Sequence, residues 1–270
     1  MFEERAFRYL HRVFAGLFTL YVLIPIGVTA VMAFSDDNVI RFPIRGFSVR
    51  WFGQFFNDPQ WNNAAWNSLE IAVMTTVTSL ALALPAAYAF AQGKRARPLL
   101  QTLMILPLFV PGVVLGISVA MGLGSVTVFG SELFGSKILV AAAHTLWALP
   151  LAMTVLVPTF ETLDKSLIEA AGDLGASPLR AFFNVIVPIA MTGIVSAGLF
   201  AFITSLNEFI MALFLTTRET QTLPVMLWLS LRSSASPQIA VASFVLAGSV
   251  FTILGLAYAW FALARRRVGT

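Results

Sequence analysis

The sequence predicts an all-α polytopic membrane protein of six transmembrane helices, with both termini on one side. Three observations predict it. First, 58% of the 270 residues are hydrophobic and only 11% are charged, with a mean hydropathy of +0.85. A soluble domain carries about a quarter charged residues. Second, the ionisable residues leave six uncharged stretches, at 13–35, 71–93, 98–131, 138–160, 181–207 and 233–264. One helical crossing of the hydrocarbon takes about 20 residues, so each stretch holds one span and none comfortably holds two. None alternates as a barrel strand would. Third, the basic residues are unevenly placed. An even number of spans puts the termini together, and eleven of the 17 Lys and Arg residues fall on their side: Arg5, Arg8, Arg12, Lys94, Arg95, Arg97, Lys165, Arg180, Arg265, Arg266 and Arg267. The other six, Arg41, Arg45, Arg50, Lys137, Arg218 and Arg232, fall opposite. The positive-inside rule makes the termini cytoplasmic.

This composition excludes an ordinary soluble enzyme, a disordered chain and a nucleic-acid-binding domain. Membrane lipid is the expected surround, and no nucleic-acid partner is expected. The chain has no cysteine, and its two histidines, His11 and His144, stand alone. A disulfide framework, a thiol nucleophile and a histidine or cysteine metal cage are therefore not expected.

The elements follow in order. Residues 1–12 form a basic N-terminus resembling the charged region of a signal peptide. The apolar stretch after it is longer than a signal core, so span one, about 13–35, is expected to be retained. The outside loop 36–69 is rich in Trp51, Phe52, Phe55, Phe56, Trp61 and Trp66. Aromatic residues suit a membrane–water boundary; they also suit a docking surface for a soluble partner. Span two, about 71–92, contains Pro85. Span three, about 99–124, contains Pro107, Pro111, Gly112, Gly116, Gly122 and Gly124. Span four, about 138–160, contains His144, Trp147 and Pro150. The prolines are expected to kink their helices, and the glycines allow close helix approach. Spans five and six are expected at about 189–215 and 240–263, and 265–270 is a basic tail. One membrane domain covers 13–264, with no internal repeat.

The loop 161–187 carries structure of its own. Ser166 and Glu169 have the spacing of a capping box. Leu167, Ile168, Ala171 and Leu174 recur at helical spacing. Gly175 can take the left-handed conformation that ends a helix. Ser177-Pro178 reads as an N-cap followed by proline at the first helical position. The segment is therefore a helix, a tight turn and a second helix through Arg180, Phe182 and Phe183 toward Pro188. Such an elbow suits a lever seated in a partner protein, and equally a linker packed on its own bundle.

Glu208 is the one acid well inside an expected span. It follows Ser205-Leu206-Asn207. A carboxylate there faces a pore, a cation or a partner, or is a hydrogen-bonded structural acid. His144 on span four is more simply tied to a backbone carbonyl than used as a ligand. An enzyme built on Glu208 and His144 lacks a nucleophile or metal set. A secondary transporter would show inverted repeats and broken helices.

Glu169-Ala170-Ala171, Gly175, then Val185, Val187 and Pro188, resemble the EAA loop of ABC-type importer permeases, and the position between spans four and five fits. The resemblance implies the type I importer permease fold and a non-catalytic inner-membrane subunit. It also implies that Glu169, Ala170, Ala171, Gly175, Ser177 and Pro178 couple to an ATP-binding subunit, with Glu169 also in polar contact with it. It implies two such subunits, a second permease expected to be a different chain, and a periplasmic or lipid-anchored solute-binding protein. ATP and Mg would sit on the partner, with no cofactor in this chain; no Gly-x-x-x-x-Gly-Lys-Ser/Thr loop occurs in the sequence. Further along, Phe34-Ser35, Gly46-Phe47-Ser48, Asn67-Ser68-Leu69, Ser205-Leu206-Asn207-Glu208-Phe209 and Ser236-Pro237-Gln238-Ile239 resemble the spermidine/putrescine branch. That resemblance implies a polyamine or similar organic cation as solute, with Asn207 and Glu208 on its path. Relatives importing iron, phosphonates or other small solutes share several of these motifs, and the branch often carries an acid where this chain has Asn207.

Overall fold

The computed structural model describes residues 2–93, 97–128, 130–233 and 236–268. Of the basic residues above, Lys94 and Arg95 lie outside the described residues, as do the side chains of Arg5, Arg97, Lys165 and Arg265–Arg267. The chain divides into two units, Met1–Asn62 with Met226–Phe251, and Asn63–Val225 with Thr252–Thr270.

In the first unit, α1 (Phe2–Ala33) is a single long helix. The chain after it folds back on itself, with Asp36 N–H donating to Gly46 O at 2.9 Å and Ser48 N–H to Phe34 O at 2.8 Å. Helix α2 (Arg50–Asn57) follows and buries Trp51 and Phe55. Trp51 Nε1 donates to Asp37 O at 3.2 Å. The Phe55 and Trp61 rings pack 5.6 Å apart. Much of the aromatic content of this loop is thus a small core, whereas Phe56 and Trp66 remain exposed.

The second unit holds most of α3 (Pro59–Ala91), then α4 (Arg97–Ile105), a 3-10 turn at Leu106–Phe109 and α5 (Gly112–Leu123). A two-residue hairpin follows, β1 (Thr127–Val128) and β2 (Ser131–Glu132). Next come α6 (Lys137–Glu161), α7 (Lys165–Asp173), α8 (Pro178–Ala181), a π turn at Phe182–Ile186 and α9 (Val187–Ile189). Then come α10 (Met191–Asn207) and α11 (Ile210–Leu215), and α12 (Leu223–Ser233) and α13 (Gln238–Val268), each divided between the two units, complete the chain. Among the described residues four helices are long and apolar enough to cross a membrane, at Phe7–Ala33, Pro59–Ala91, Lys137–Glu161 and Gln238–Leu263. Two bent pairs meet the same test together: Leu99–Phe109 with Gly112–Leu123, at 98°, and Pro178–Ile189 with Met191–Asn207, at 78°.

The stretches at 99–124 and 189–215 are thus interrupted rather than continuous. Proline explains the first. Val110, ahead of Pro111, is extended at φ −86°, ψ 127°, because a residue before proline is pushed out of the helical region. Pro188 has no N–H to give to residue 184, and the chain widens into the π turn just before it. A second break falls inside the expected fifth span, at Glu208 and Phe209, without proline or glycine. By contrast, α3 and α6 run through Pro85 and Pro150 as single helices.

Helix α6 contributes to two buried apolar clusters among the described residues. One joins Ala83, Ala87 and Phe90 of α3 to Ala152, Leu156 and Phe160 of α6 and Ile194 and Ala197 of α10. The other joins Ile71 of α3 to Leu139, Val140 and Ala143 of α6 and Met211 and Leu215 of α11. Alanine dominates because small side chains let helices approach in lipid, where packing replaces the hydrophobic drive. Of the span-three glycines, Gly112 and Gly116 are buried, and a Cβ on Gly116 would lie 3.1 Å from Met211 Cα.

Candidate coupling loop and buried polar site

Helix α7 begins two residues earlier than a Ser166 cap would place it. Its N-cap is Asp164, whose Oδ1 accepts from Ser166 N–H at 2.9 Å. This corrects the Ser166–Glu169 capping box: a carboxylate at the N-cap meets both an orphan N–H and the positive helix end. The backbone bond from Ser166, and then its side chain, hold the Asp164 carboxyl below its ordinary 3.8. The helix ends in a Schellman motif. Ala176 N–H donates to Ala171 O and Gly175 N–H to Gly172 O, each at 2.9 Å. Gly175 takes φ +82°, a conformation costly for any residue with a Cβ. Ser177 Oγ then accepts from Arg180 N–H at 3.4 Å, and Pro178 opens α8.

The apolar residues of this elbow do not share one face. Ile168, with Leu163, Phe182 and Val187, packs on the cluster of Phe90, Leu156 and Phe160, and Ala171 is buried. Leu174 is 89% exposed, Leu179 69% and Leu167 44%. Glu169, Ala170, Gly175, Ser177 and Pro178 are exposed too. The expected single face of Leu167, Ile168, Ala171 and Leu174 is therefore split, because Leu174 lies at the C-cap, where the chain already turns away.

Between the two apolar clusters lies a polar layer. His144, Glu208, Ser205 and Thr75 are all at most 5% exposed. Glu208 ends α10, and its carboxylate accepts from Met211 N–H at 2.9 Å and Ala212 N–H at 3.1 Å. These are orphan donors at the start of α11. His144 Nε2 lies 3.1 Å from Glu208 Oε2, at ion-pair distance but off the line of a hydrogen bond. On the other side of the ring a chain of bonds has a fixed direction. Thr75 Oγ1 donates to Ala141 O at 3.4 Å, and Ser205 Oγ donates to Thr75 Oγ1 at 3.1 Å. A carbonyl can only accept, so His144 Nδ1 must donate to Ser205 Oγ, 2.8 Å away. One turn along α6, Trp147 Nε1 donates to Pro107 O at 3.0 Å, at the break of span three.

The structure thus brings together His144 and Glu208, which the sequence places on different spans at different depths. It parts Asn207 from Glu208. Glu208 is turned inward, whereas Asn207 is exposed and lines a cavity of about 510 Å³ on α10, with Ser196, Phe200, Ile203, Thr204 and Leu254. A second cavity of about 720 Å³ shares Ser196 and adds Thr159, Thr162, Thr192 and Tyr258. Sequence reasoning missed Thr75, and gave Ser205 and Ser68 only as motif residues, without these roles. For Thr75 and Ser205 the signal was hydroxyl residues on otherwise apolar spans. Ser68 Oγ accepts from Leu223 N–H at 2.7 Å and so caps α12, while Asn67 Nδ2 donates to Glu219 O and Gln221 O, both at 2.9 Å. Among the described residues no group of three or more His, Cys, Asp or Glu could hold a metal ion.

This geometry can be set beside known proteins. Residues 79–270 match the family described as "Binding-protein-dependent transport system inner membrane component". The chain is 27% identical over 248 residues to the putrescine transport system permease protein PotI of Escherichia coli, covering 91% of this chain and 87% of that one. It is 27% identical over 241 residues to the spermidine/putrescine transport system permease protein PotC of the same organism, covering 87% of each. It is 30% identical to PotB of Haemophilus influenzae over 213 residues, 71% of each chain. Its fold resembles a chain of a bacterial ABC transporter that imports the acidic polysaccharide alginate, with TM-score 0.66, 20% identity and 97% of each chain covered. A structure of a bacterial alginate ABC transporter with its alginate-bound periplasmic protein gives TM-score 0.72 at 13% identity, over 94% of this chain and 93% of that one. The chain belongs to the family of binding-protein-dependent inner-membrane components: it is a multi-pass, non-catalytic permease subunit of a bacterial ABC importer, in which ATP binding resides in the ABC subunit.

Proposed function

We propose that this chain forms half of a solute pathway and is driven through its 161–187 elbow. In this reading it crosses the membrane six times, two of the crossings bent, with both termini and the elbow in the cytoplasm. Glu169, Ala170, Ala171, Gly175, Ser177 and Pro178 seat the elbow in an ATP-binding subunit. A second, different permease supplies the other half of the pathway, two ATP-binding subunits drive the pair, and a periplasmic or lipid-anchored binding protein delivers the solute. The α10 face carrying Asn207 lines the path, and Glu208 serves it from behind by fixing where α10 ends. The solute is a polyamine or similar small organic cation, as the names of the permeases at 27–30% identity suggest.

The observation that carries this reading is the elbow itself. Both its helices are capped, its turn is closed by a Schellman motif, and Leu174 and Leu179 project from it 89% and 69% exposed. A rigid segment displaying leucine outward is built to insert into another protein. Gly175→Val tests it: valine at φ +82° strains the turn. The expected outcome is a chain that still inserts, no longer co-purifies with an ATP-binding subunit and supports no uptake. Undiminished uptake would refute the coupling role.

A further inference from the structure

We propose that the α10 wall is an uncharged, acceptor-rich surface that favours solutes carrying N–H or O–H donors on apolar spacers, alkylammonium compounds foremost, over carboxylates and sulfonates. The inference rests on the reading of the α10 face as the solute path, and it names residues and a hydrogen-bond polarity that the reading alone does not supply.

It starts from where the hydrogens point. Among the described residues three polar side chains line the Asn207 cavity. Ser196 Oγ–H donates to Thr192 O at 2.8 Å, Thr204 Oγ1–H to Phe200 O at 2.7 Å, and Asn207 Nδ2–H to Ile203 O at 2.9 Å. Each donates to the carbonyl four residues back on its own helix. The oxygens of Ser196, Thr204 and Asn207 keep their lone pairs for the cavity, while the second amide hydrogen of Asn207 is the one donor these three groups have left. In the neighbouring cavity two hydroxyls are likewise committed to carbonyls of their own helix end, Thr159 Oγ1 to Val155 O at 2.7 Å and Thr162 Oγ1 to Thr159 O at 2.9 Å, while Thr192 and Tyr258 add hydroxyls of their own.

An oxyanion needs donors. Here it would find the second amide hydrogen of Asn207 and would otherwise have to pull hydrogens off helix carbonyls, and among the described residues no Lys or Arg lines either cavity. An ammonium group brings its own donors and finds acceptors already turned toward it. Leu199, Ile203 and Leu254 supply apolar surface between the acceptors, and Phe200, 55% exposed, offers a ring face to a cation. Ser196 and Thr204 are eight residues apart, or about 12 Å at the helical rise per residue. That spacing suits a chain with donors at intervals rather than one compact charge.

The chain has no cysteine, so Ser196→Cys and Thr204→Cys each place a single thiol in it. Each is made in the assembled importer in membrane vesicles, with Val49→Cys, at an exposed loop position, as reference. Labelling of this chain is timed with a cationic reagent, trimethylammonioethyl methanethiosulfonate, and an anionic one, sulfonatoethyl methanethiosulfonate. Dividing each cation-to-anion rate ratio by the Val49→Cys ratio removes intrinsic reactivity. The expected result is a preference for the cation of about ten-fold at both positions, the size of a charge-assisted hydrogen bond or two. Reaction at both positions without cation preference overturns the acceptor wall and leaves the pathway standing. Reaction with neither reagent, with or without ATP, while Val49→Cys reacts, shows a face closed to water and overturns the pathway reading together with this inference.

Discussion

Replacing His144 by leucine removes one partner of a buried pair and leaves the other in place. Breaking such a pair costs about 3–5 kcal/mol. Glu208 keeps the N–H groups of Met211 and Ala212 as donors, at 2.9 and 3.1 Å, so the low end, about 3 kcal/mol, is expected. For a chain near this size each kcal/mol moves the melting temperature by about 2–4 °C, so the loss should be roughly 6–12 °C. Glu208→Gln keeps one acceptor oxygen for two N–H donors and loses a charged hydrogen bond, a cost of about 1.5–3 kcal/mol. The double variant decides the matter. If His144 and Glu208 stabilise one another across their 3.1 Å separation, the combined loss falls short of the sum by about 0.5–3 kcal/mol. Thermal unfolding of the purified protein in detergent, followed by tryptophan fluorescence, measures all three. A His144→Leu variant melting with the wild type, or strictly additive losses, would show that the pair does not hold the break at Glu208.

Other expectations follow from the same coordinates. Leu174→Asp should leave the melting temperature unchanged, because the side chain is 89% exposed. It should weaken docking of the ATP-binding subunit by about 1.5–3 kcal/mol, the worth of one buried leucine, read as a ten- to hundred-fold higher Kd in a titration on nanodisc-embedded permease. The folded-state pKa of Asp164 lies below the ordinary 3.8. Its cap is therefore fully effective above that value and is lost as pH falls through the lower folded value. Amide protection of residues 165–168 should hold from neutral pH down to the ordinary 3.8 and fall as pH drops below it, and Asp164→Asn should abolish that dependence. Gly193→Ala would drive a Cβ into Thr159 Oγ1 where α6 and α10 meet. A loss of about 1–3 kcal/mol is expected from overpacking, partly restored by Thr159→Ala; calorimetry showing no loss would contradict the tight contact.

The unbroken spans were legible because apolar length is a local property. The stretch 138–160 is α6 to within a residue at each end, and 240–263 lies inside α13. Helix α3 begins at Pro59, well before the apolar stretch at 71, because its first three turns are helical without being apolar. The break of span three was marked by Pro107 and Pro111. The break at Glu208 was not marked: Phe209 and Ile210 are ordinary apolar residues, and what stops α10 is a set of bonds to Glu208 that exist only once α11 and α6 are in place. Helix α12 was hidden for the same reason, its cap being supplied by Ser68 from 155 residues away. In the elbow, Gly175 and Ser177-Pro178 were readable because turns and caps are short-range chemistry. The start of α7 was misplaced because two candidate caps, Asp164 and Ser166, lie two residues apart, and the charged one won.

Helix α6 is unbroken from Lys137 to Glu161, yet the interruptions of two other spans are fastened to it one turn apart, through Trp147 and His144. It is the rigid beam against which two jointed rods bear. Its foot is joined to the elbow by the two-residue link Thr162-Leu163 before Asp164 caps α7. In the coupling proposed above, a push on the elbow would enter α6 through this two-residue link, and α6 would carry it to both joints.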